Sequence, residues 1–463
     1  MKKLCTIFSM CLLLMFILVP VVFAADAPAE SAIDTGDTAF VLICAALVML
    51  MTPGLALFYG GMVRTKNALS TIMQSFFILG LITVQWVLFG YSLAFGPDIN
   101  HFIGSLDWAG LSGVGLDPNP DYSETIPHQA FMIFQGMFAV LTVALITGAF
   151  AERMRFPAFV VFALAWATFV YDPVAHWVWG GGWIGELGVL DFAGGTVVHI
   201  ISGVSGLVVA LMIGKRKGYG TDVILPHHLP MTVLGAALLW FGWFGFNAGS
   251  ALSANGLAAG AFAVTQIAAA AATVSWVLTE WVQHGKPTIL GAVSGCIAGL
   301  VAITPAAGFV GPMPALIIGL GAGIICFLAV AVAKAKLGYD DALDVFGIHG
   351  IGGTWGAIAT GLFASTAVNP GGADGLFYGN AGQLTTQLIG VVASWVVAAV
   401  MTFIILKVIG LFMQIRATAD QEIQGLDITD HGERGYAYQD FMTGSHIGLG
   451  SASQDSSAKT TSV

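Results

Sequence analysis

Two histidines lie inside hydrophobic, glycine-rich segments, and each follows an aspartate by eight residues. The pairs are Asp191 with His199 and Asp341 with His349. Ionisable side chains are costly at membrane depth, so an intramembrane histidine indicates a substrate or proton path. Two neutral imidazoles that share a proton could line a dry pore, because they offer hydrogen bonds without a fixed charge.

Two other roles are open to these histidines. They could be packing residues that are hydrogen-bonded to neighbouring backbone. They could also bind a metal, but two imidazoles rarely suffice, and no cysteine or carboxylate lies within the same helical turns to complete a tetrahedral set. We therefore expect neither a metal nor a cofactor.

The aspartates also have two compatible roles. Asp191 precedes Phe-Ala-Gly-Gly-Thr at the start of a predicted helix, so its carboxylate could accept hydrogen bonds from free backbone amides. It could also place negative potential near an outer cation site. Asp341 and Asp344 present the same alternatives at the other end of the bundle.

Aromatic residues cluster in three further motifs. These are Phe134 and Phe138 in Phe-Gln-Gly-Met-Phe, Trp179 before a run of glycines, and Trp243 and Phe246 ahead of Ser250. An interfacial aromatic belt would explain any single tryptophan. Aromatic faces with a hydroxyl could instead hold a small desolvated cation by cation-π attraction and one hydrogen bond.

The composition predicts a polytopic membrane protein. Of all residues, 57% are hydrophobic and 9% are charged, and apolar segments of roughly 20 residues, the length that spans a bilayer as a helix, recur along the chain. This argues against a large soluble helical protein. The runs Gly180-Gly-Gly and Gly350-Ile-Gly-Gly follow neither Walker nor Rossmann spacing, so we do not expect an enzyme.

The chain divides into three parts. Residues 1–25 carry Lys2 and Lys3, an apolar run and Val-Phe-Ala-Ala at 22–25, which is typical of a cleaved secretory signal peptide. Residues 26–413 form the predicted membrane domain. Residues 414–463 form a polar cytoplasmic tail, in which the glycines and mixed charges of 425–436 suggest a docking segment.

Eleven apolar segments predict an all-α fold of eleven transmembrane helices with the N-terminus outside and the C-terminus inside. The segments lie near 39–61, 70–95, 128–150, 157–179, 193–213, 230–249, 257–282, 287–308, 310–333, 346–365 and 384–413. With this topology every lysine and arginine after the signal falls on the inner side or in the tail, as the positive-inside rule requires.

The outer side of this topology carries acidic residues and no lysine or arginine. They are Asp98, Asp107, Asp117, Asp121, Glu124, Asp172, Glu186 and Asp374. Such a surface mildly favours cations, although acidic loops are also ordinarily solvated.

The spacing of the histidines predicts an internal duplication. Five helices separate the fifth segment, which carries His199, from the tenth, which carries His349, so helices 1–5 and 6–10 would be inverted repeats with an eleventh helix added. Eight residues of helix rise about 12 Å, so each histidine would lie near the centre of a hydrocarbon layer of about 30 Å.

In these motifs the chain resembles the ammonium transporter family (Amt/MEP/Rh), specifically its bacterial Amt branch. The match runs from about residue 37 to 437. The motifs that carry it are Pro53-Gly-Leu-Ala-Leu-Phe-Tyr-Gly-Gly61, Phe134-Gln-Gly-Met-Phe138, Asp191-Phe-Ala-Gly-Gly-Thr-Val-Val-His199, Gly242-Trp-Phe-Gly-Phe-Asn-Ala-Gly-Ser250 and Asp344-Val-Phe-Gly-Ile-His-Gly350.

The resemblance implies roles for these residues. Phe138, Trp179 and Ser250 would bind ammonium at the outer side, with Trp243 beside them. Phe138 and Phe246 would form a gate, His199 and His349 would line the pore, and Asp191 would support recruitment or deprotonation. It also implies a homotrimer in the bacterial inner membrane and a trimeric PII-type signalling protein that binds the cytoplasmic face. The role of residues after Tyr438 stays open.

The function predicted from these motifs is selective uptake of ammonium, with methylammonium as a candidate analogue. NH4+ would bind outside, lose its proton and cross as neutral ammonia. K+ cannot become neutral in this way, so it would pay the full cost of losing its hydration. The alternative is an ammonium sensor that signals through its tail. A membrane enzyme using the histidines is a third, weaker alternative.

Overall fold

The computed structural model describes residues 33–436, and helices dominate this range. In chain order they are α1 (Thr35–Met62), α2 (Thr65–Phe95), α3 (His128–Phe150), α4 (Phe156–Glu186), α5 (Gly195–Ile213), α6 (Leu229–Gly249), α7 (Gly256–His284), α8 (Ile289–Ile303), α9 (Pro312–Leu337), α10 (346–363), α11 (Ala381–Phe412), α12 (Ala419–Gln424) and α13 (Leu426–His431). The predicted signal peptide and the last part of the tail lie outside the described residues.

The helical membrane architecture predicted from composition is confirmed. Within residues 33–436, nine helices are long and apolar enough to cross a membrane. The helix α8 is apolar but shorter, and α10 lies outside that group of nine. Every predicted apolar segment coincides with one of α1 to α11. The count of eleven crossings and their orientation stay predictions.

The connection between α2 and α3 contains strands, which the all-α expectation missed. The strands β1 (Asp98–Ile99) and β2 (Ile103–Gly104) form one antiparallel pair, and β3 (Pro118–Asn119) and β4 (Ser123–Pro127) form another. Strands this short show no alternation of apolar and polar residues that a sequence could reveal.

Four inter-helix loops meet in a buried ionic network at one end of the bundle. Arg64, between α1 and α2, pairs with Glu152, between α3 and α4, at 2.6 Å. Arg216, between α5 and α6, pairs with Asp340, between α9 and α10, at 2.8 Å and approaches Glu152 to 3.6 Å. Arg153 lies 3.7 Å from Asp340. The network therefore joins the α1–α2, α3–α4, α5–α6 and α9–α10 loops.

The tail docks on the same end of the bundle. The Asp427 carboxylate of α13 accepts hydrogen bonds from the backbone N–H groups of Leu69 and Ser70 in the first turns of α2, at 3.0 and 2.7 Å. The Lys66 ammonium donates to the backbone carbonyls of Glu422 and Ile423. These contacts hold the tail against the start of α2, and its role as a docking segment for a partner stays a prediction.

Replacement of Asp340 tests the ionic network. Asp340→Asn leaves the buried guanidinium groups of Arg153 and Arg216 without their carboxylate. We expect a loss of about 3–5 kcal/mol in the free energy of unfolding, because removing one partner of a buried pair leaves an uncompensated charge. Thermal unfolding of the detergent-solubilised protein measures it. Asp222→Asn, at an exposed position of the α5–α6 loop, is the control, and equal melting temperatures for both variants would contradict the prediction.

The same network predicts a direction of pH dependence. Burial opposes ionisation of Asp340, but hydrogen bonds and charge from Arg216, with the charge of Arg153, hold the pKa of Asp340 below its usual value. A lowered folded-state pKa stabilises the protein above the unfolded pKa, about 3.9 for an aspartate. This stability is lost as the pH falls through the folded-state pKa, so wild type and Asp340→Asn should converge in melting temperature in acid.

Candidate functional site

The two predicted histidines are in direct contact. The Nδ1 atoms of His199 and His349 lie 3.3 Å apart, and both side chains are buried. Since a neutral imidazole carries one N–H, one Nδ1 must donate and the other accept. The accepting ring then carries its proton on Nε2. The buried Nε2 of His199 has no hydrogen-bond partner in the described part of the chain, so it is available to a substrate.

Both histidines lie in π-helical turns at the start of their helices. These turns are Gly195–Ile200 and Phe346–Gly350. The helices α5 and α10 then cross at Gly203 and Gly350, where a Cβ atom on Gly203 would lie 2.0 Å from the Gly350 nitrogen. Only glycine allows this approach, and it brings the two imidazoles together.

Asp191 caps the N-terminus of α5. Its carboxylate accepts hydrogen bonds from the backbone N–H groups of Gly194, Gly195, Thr196 and Val197 and from the Thr196 hydroxyl. Gly194 has a φ of 116°, a conformation that favours glycine. The cap uses both carboxylate oxygens and fixes the turn that carries His199.

The aspartates before α10 have separate tasks. Asp341 accepts a hydrogen bond from the Phe346 N–H at 2.7 Å, so it is the counterpart of Asp191. Burial raises the pKa of Asp341 to about 6, while the charge of Lys334 opposes this shift. Asp344, with a φ of 63°, pairs instead with Lys334 at 2.6 Å.

Aromatic rings continue from the histidines in one column. Phe246 lies 6.1 Å from His199 between ring centroids, and Phe138 stacks on Phe246 at 4.2 Å and an interplanar angle of 23°. Trp179 meets Phe138 edge-on at 6.0 Å. The structure thus brings together in one column Trp179, Phe138, Phe246, His199 and His349.

The remaining predicted residues lie beside this column. Trp243 stacks on His199 at 5.3 Å between ring centroids and donates its indole N–H to Thr304 at 2.9 Å. Ser250 is half-buried and donates to the Phe246 carbonyl. Half-buried Trp179 donates to the Asp191 carbonyl at 2.8 Å, which links the column to the cap. Thr304 was missed, because a single threonine in an apolar helix has no spacing signal.

The assignment of Asp172 to an outer loop is wrong. Asp172 is fully buried within α4 and accepts a hydrogen bond from Gln85 of α2. Pro173 occupies the first turn of the α-helical segment Asp172–Trp179, where proline costs no hydrogen bond, and α4 continues through Asp172. Asp172 is not part of the histidine column.

Comparison with known proteins identifies relatives along most of the chain. The sequence profile of the Ammonium Transporter Family matches residues 39–436. An ammonium transporter of Bacillus subtilis is 62% identical over 407 residues, which cover 88% of this chain and 99% of the relative. The ammonium transporter Amt1 of Archaeoglobus fulgidus is 48% identical over 402 residues, which cover 87% and 99%.

Solved structures show the same fold. The crystal structure of Candida albicans Mep2 is similar with a TM-score of 0.81 and 38% identity, over 88% of this chain and 92% of that one. A structure described as a sensor Amt protein is similar with a TM-score of 0.79 and 29% identity, over 86% and 98%. With its apolar helices and these relatives, the chain is a multi-pass membrane protein that belongs to the Ammonium Transporter Family.

Proposed function

We propose that this protein takes up ammonium selectively across the bacterial inner membrane. The observation that carries the proposal is the contact of an aromatic column with a buried histidine pair, in which the Nε2 atom of His199 has no protein partner among the described residues. A column of this composition offers cation-π attraction at one end and neutral hydrogen-bonding groups at the other.

In this proposal, NH4+ binds where Phe138, Trp179 and Ser250 meet. Both Trp179 and Ser250 are half-buried, so this end of the column is the one that solvent reaches. The Ser250 hydroxyl can accept from the ammonium ion while it donates to the Phe246 carbonyl. Trp243, which stacks on His199, takes part deeper in the column than the resemblance implied.

The phenylalanine pair supplies the barrier to ions. Rings stacked at 4.2 Å leave no space between them, so Phe138 and Phe246 must move for any species to pass. Beyond them a bare ion would lose its hydration in a low-dielectric interior, at a cost of several kcal/mol or more. Ammonium avoids this cost when it leaves its proton behind, which K+ cannot do.

Asp191 acts in this proposal as a structural cap and a source of negative potential. Its two oxygens already accept five hydrogen bonds, so the carboxylate is committed to the cap. Asp341 supports the start of α10 by accepting from the Phe346 N–H, and Asp344 pairs with Lys334 beside it. The proton then passes to the histidine pair or to water, and an electrogenic route would use His199 and His349 as the relay.

The wider organisation follows from the same proposal. We infer eleven crossings with the N-terminus outside, after cleavage of residues 1–25, and a cytoplasmic tail from residue 414. The matching cap, π turn and histidine in α5 and α10 support the inverted repeat. We also infer a homotrimer, and a PII-type protein that binds the face where the tail docks.

A sensor is the second candidate function. It is favoured by the similarity to a sensor Amt protein and by the tail, which is bound to the ends of α2 and α4 through Asp427 and Asp430. A sensor should still signal when the phenylalanine pair is blocked. In a transporter, the same block should abolish ammonium uptake. The intact column favours transport.

The histidine pair is tested by current measurements. Ammonium pulses on proteoliposomes held on a solid-supported membrane should give a transient current in wild type and none in His199→Ala, because the relay is broken. Potassium pulses are the substrate control. A normal ammonium current in His199→Ala would contradict the relay, and wild-type ammonia flux without current would indicate neutral transport. If neither signal appears, the sensor is favoured.

The outer site is tested at Ser250. Ser250→Ala removes one hydrogen bond to a cation, worth about 1.5–3 kcal/mol, so we expect the ammonium KM to rise by roughly 10-fold or more while the maximal rate stays near wild type. Ser112→Ala, at an exposed position between α2 and α3, is the matched control. An unchanged KM in Ser250→Ala would remove Ser250 from the binding site.

A further inference from the structure

A second buried polar site lies between α2 and α4, outside the histidine column. Asp172 and Gln85 are both buried, and the Gln85 Nε2 atom donates to Asp172 Oδ2 at 2.7 Å. Each residue adjoins a π-helical turn, Trp86–Gly90 in α2 and Ala167–Tyr171 in α4. Such turns are rare in proteins, and those that occur are often at functional sites. A carboxyl group is costly to bury without a charged partner, and Asp172 is fully buried.

The atoms left without partners indicate the missing hydrogen bond. Asp172 Oδ1 and Gln85 Oε1 are both buried and have no hydrogen-bond partner in the described part of the chain. With an ionised carboxylate both atoms are acceptors, so neither can satisfy the other. A proton on Oδ1 makes it a donor. The carboxylic acid and the carboxamide can then form a cyclic pair with two hydrogen bonds.

Other polar neighbours do not supply a donor for Oδ1. The Thr168 hydroxyl, one turn before Asp172, donates to the Leu164 carbonyl at 2.9 Å. The neighbouring Tyr171 carries a buried hydroxyl that has no partner among the described residues, and it is uncharged. Within residues 33–436, Asp172 takes part in none of the ion pairs.

The histidine that follows Asp172 on α4 is bound to other groups. His176 lies one helical turn beyond Asp172 and is fully buried. Its Nδ1 faces the Ala94 carbonyl at 3.0 Å and its Nε2 faces Asp98 Oδ1 at 2.8 Å. Burial opposes ionisation of Asp98, but hydrogen bonds from His176 and His101 lower its pKa, so Asp98 is a carboxylate. Both ring nitrogens of His176 therefore have partners other than Asp172.

We propose that Asp172 is a proton-binding site that stays occupied at neutral pH, as a carboxylic acid paired with the Gln85 carboxamide. A charged carboxylate with a single neutral partner in an apolar interior costs several kcal/mol, and the neutral pair avoids this cost. The proton removes a fixed negative charge that would attract cations away from the histidine column. The inference stands independently of the proposed transport function.

Infrared difference spectroscopy of the full chain in membranes tests the proposal. The spectrum of wild type minus Asp172→Asn should show the carbonyl stretch of a hydrogen-bonded carboxylic acid, with a small downward shift in D2O, at neutral and mildly alkaline pH. Carboxylate bands in its place would overturn the proposal, whether or not a metal cation accompanies them. Asp98→Asn is the matched control, and its difference spectrum should contain carboxylate bands only.

A second variant tests the pairing with Gln85, and it replaces the first test if Asp172→Asn does not fold. Gln85→Leu keeps the acid but removes its partner, so the acid band of Asp172 should shift to the higher frequency of a carboxylic acid without hydrogen bonds. An unshifted band, or loss of the acid band to a carboxylate, would overturn the cyclic pair.

Discussion

The structure depends on one constraint: polar groups buried in the membrane interior must find partners inside the protein. The constraint is most demanding at α5, because its first turn is buried and its N–H groups have no earlier carbonyl to bind. Asp191 meets it by accepting from four consecutive backbone N–H groups. The carboxylate is buried, yet the helix N-terminus provides the positive potential that compensates it.

The cap also determines where His199 lies. The carboxylate fixes the backbone of the π turn Gly195–Ile200, which carries His199. The imidazole is therefore held against Trp243 and Phe246. In α10, Asp341 and its π turn place His349 in the same manner. The crossing at Gly203 and Gly350 then sets the distance between the rings. A backbone requirement, rather than contacts of the rings alone, therefore defines the column.

Sequence reasoning located the parts whose signals are local or periodic. The helical segments followed from apolar length, and the equal spacing from each aspartate to its histidine predicted that both rings reach one depth, as their 3.3 Å contact requires. It could not locate Thr304 or the strands of the α2–α3 connection. It also counted Asp172 with the outer acidic residues, whereas the structure buries this side chain within α4. These features depend on contacts between distant segments, which no spacing reveals.

The distribution of charge explains why such a structure suits an ion that can become neutral. Ionised pairs are concentrated in the loops at one end, where Arg64, Glu152, Arg216 and Asp340 join four connections. Along the column itself, the described residues offer aromatic faces and two imidazoles in hydrogen-bonding contact, and the one carboxylate beside it is fully occupied by the cap. No fixed charge remains there to compensate a desolvated cation. In the proposed mechanism a substrate therefore gains by giving up its proton, and this chemical requirement, more than the diameter of the path, would distinguish ammonium from potassium.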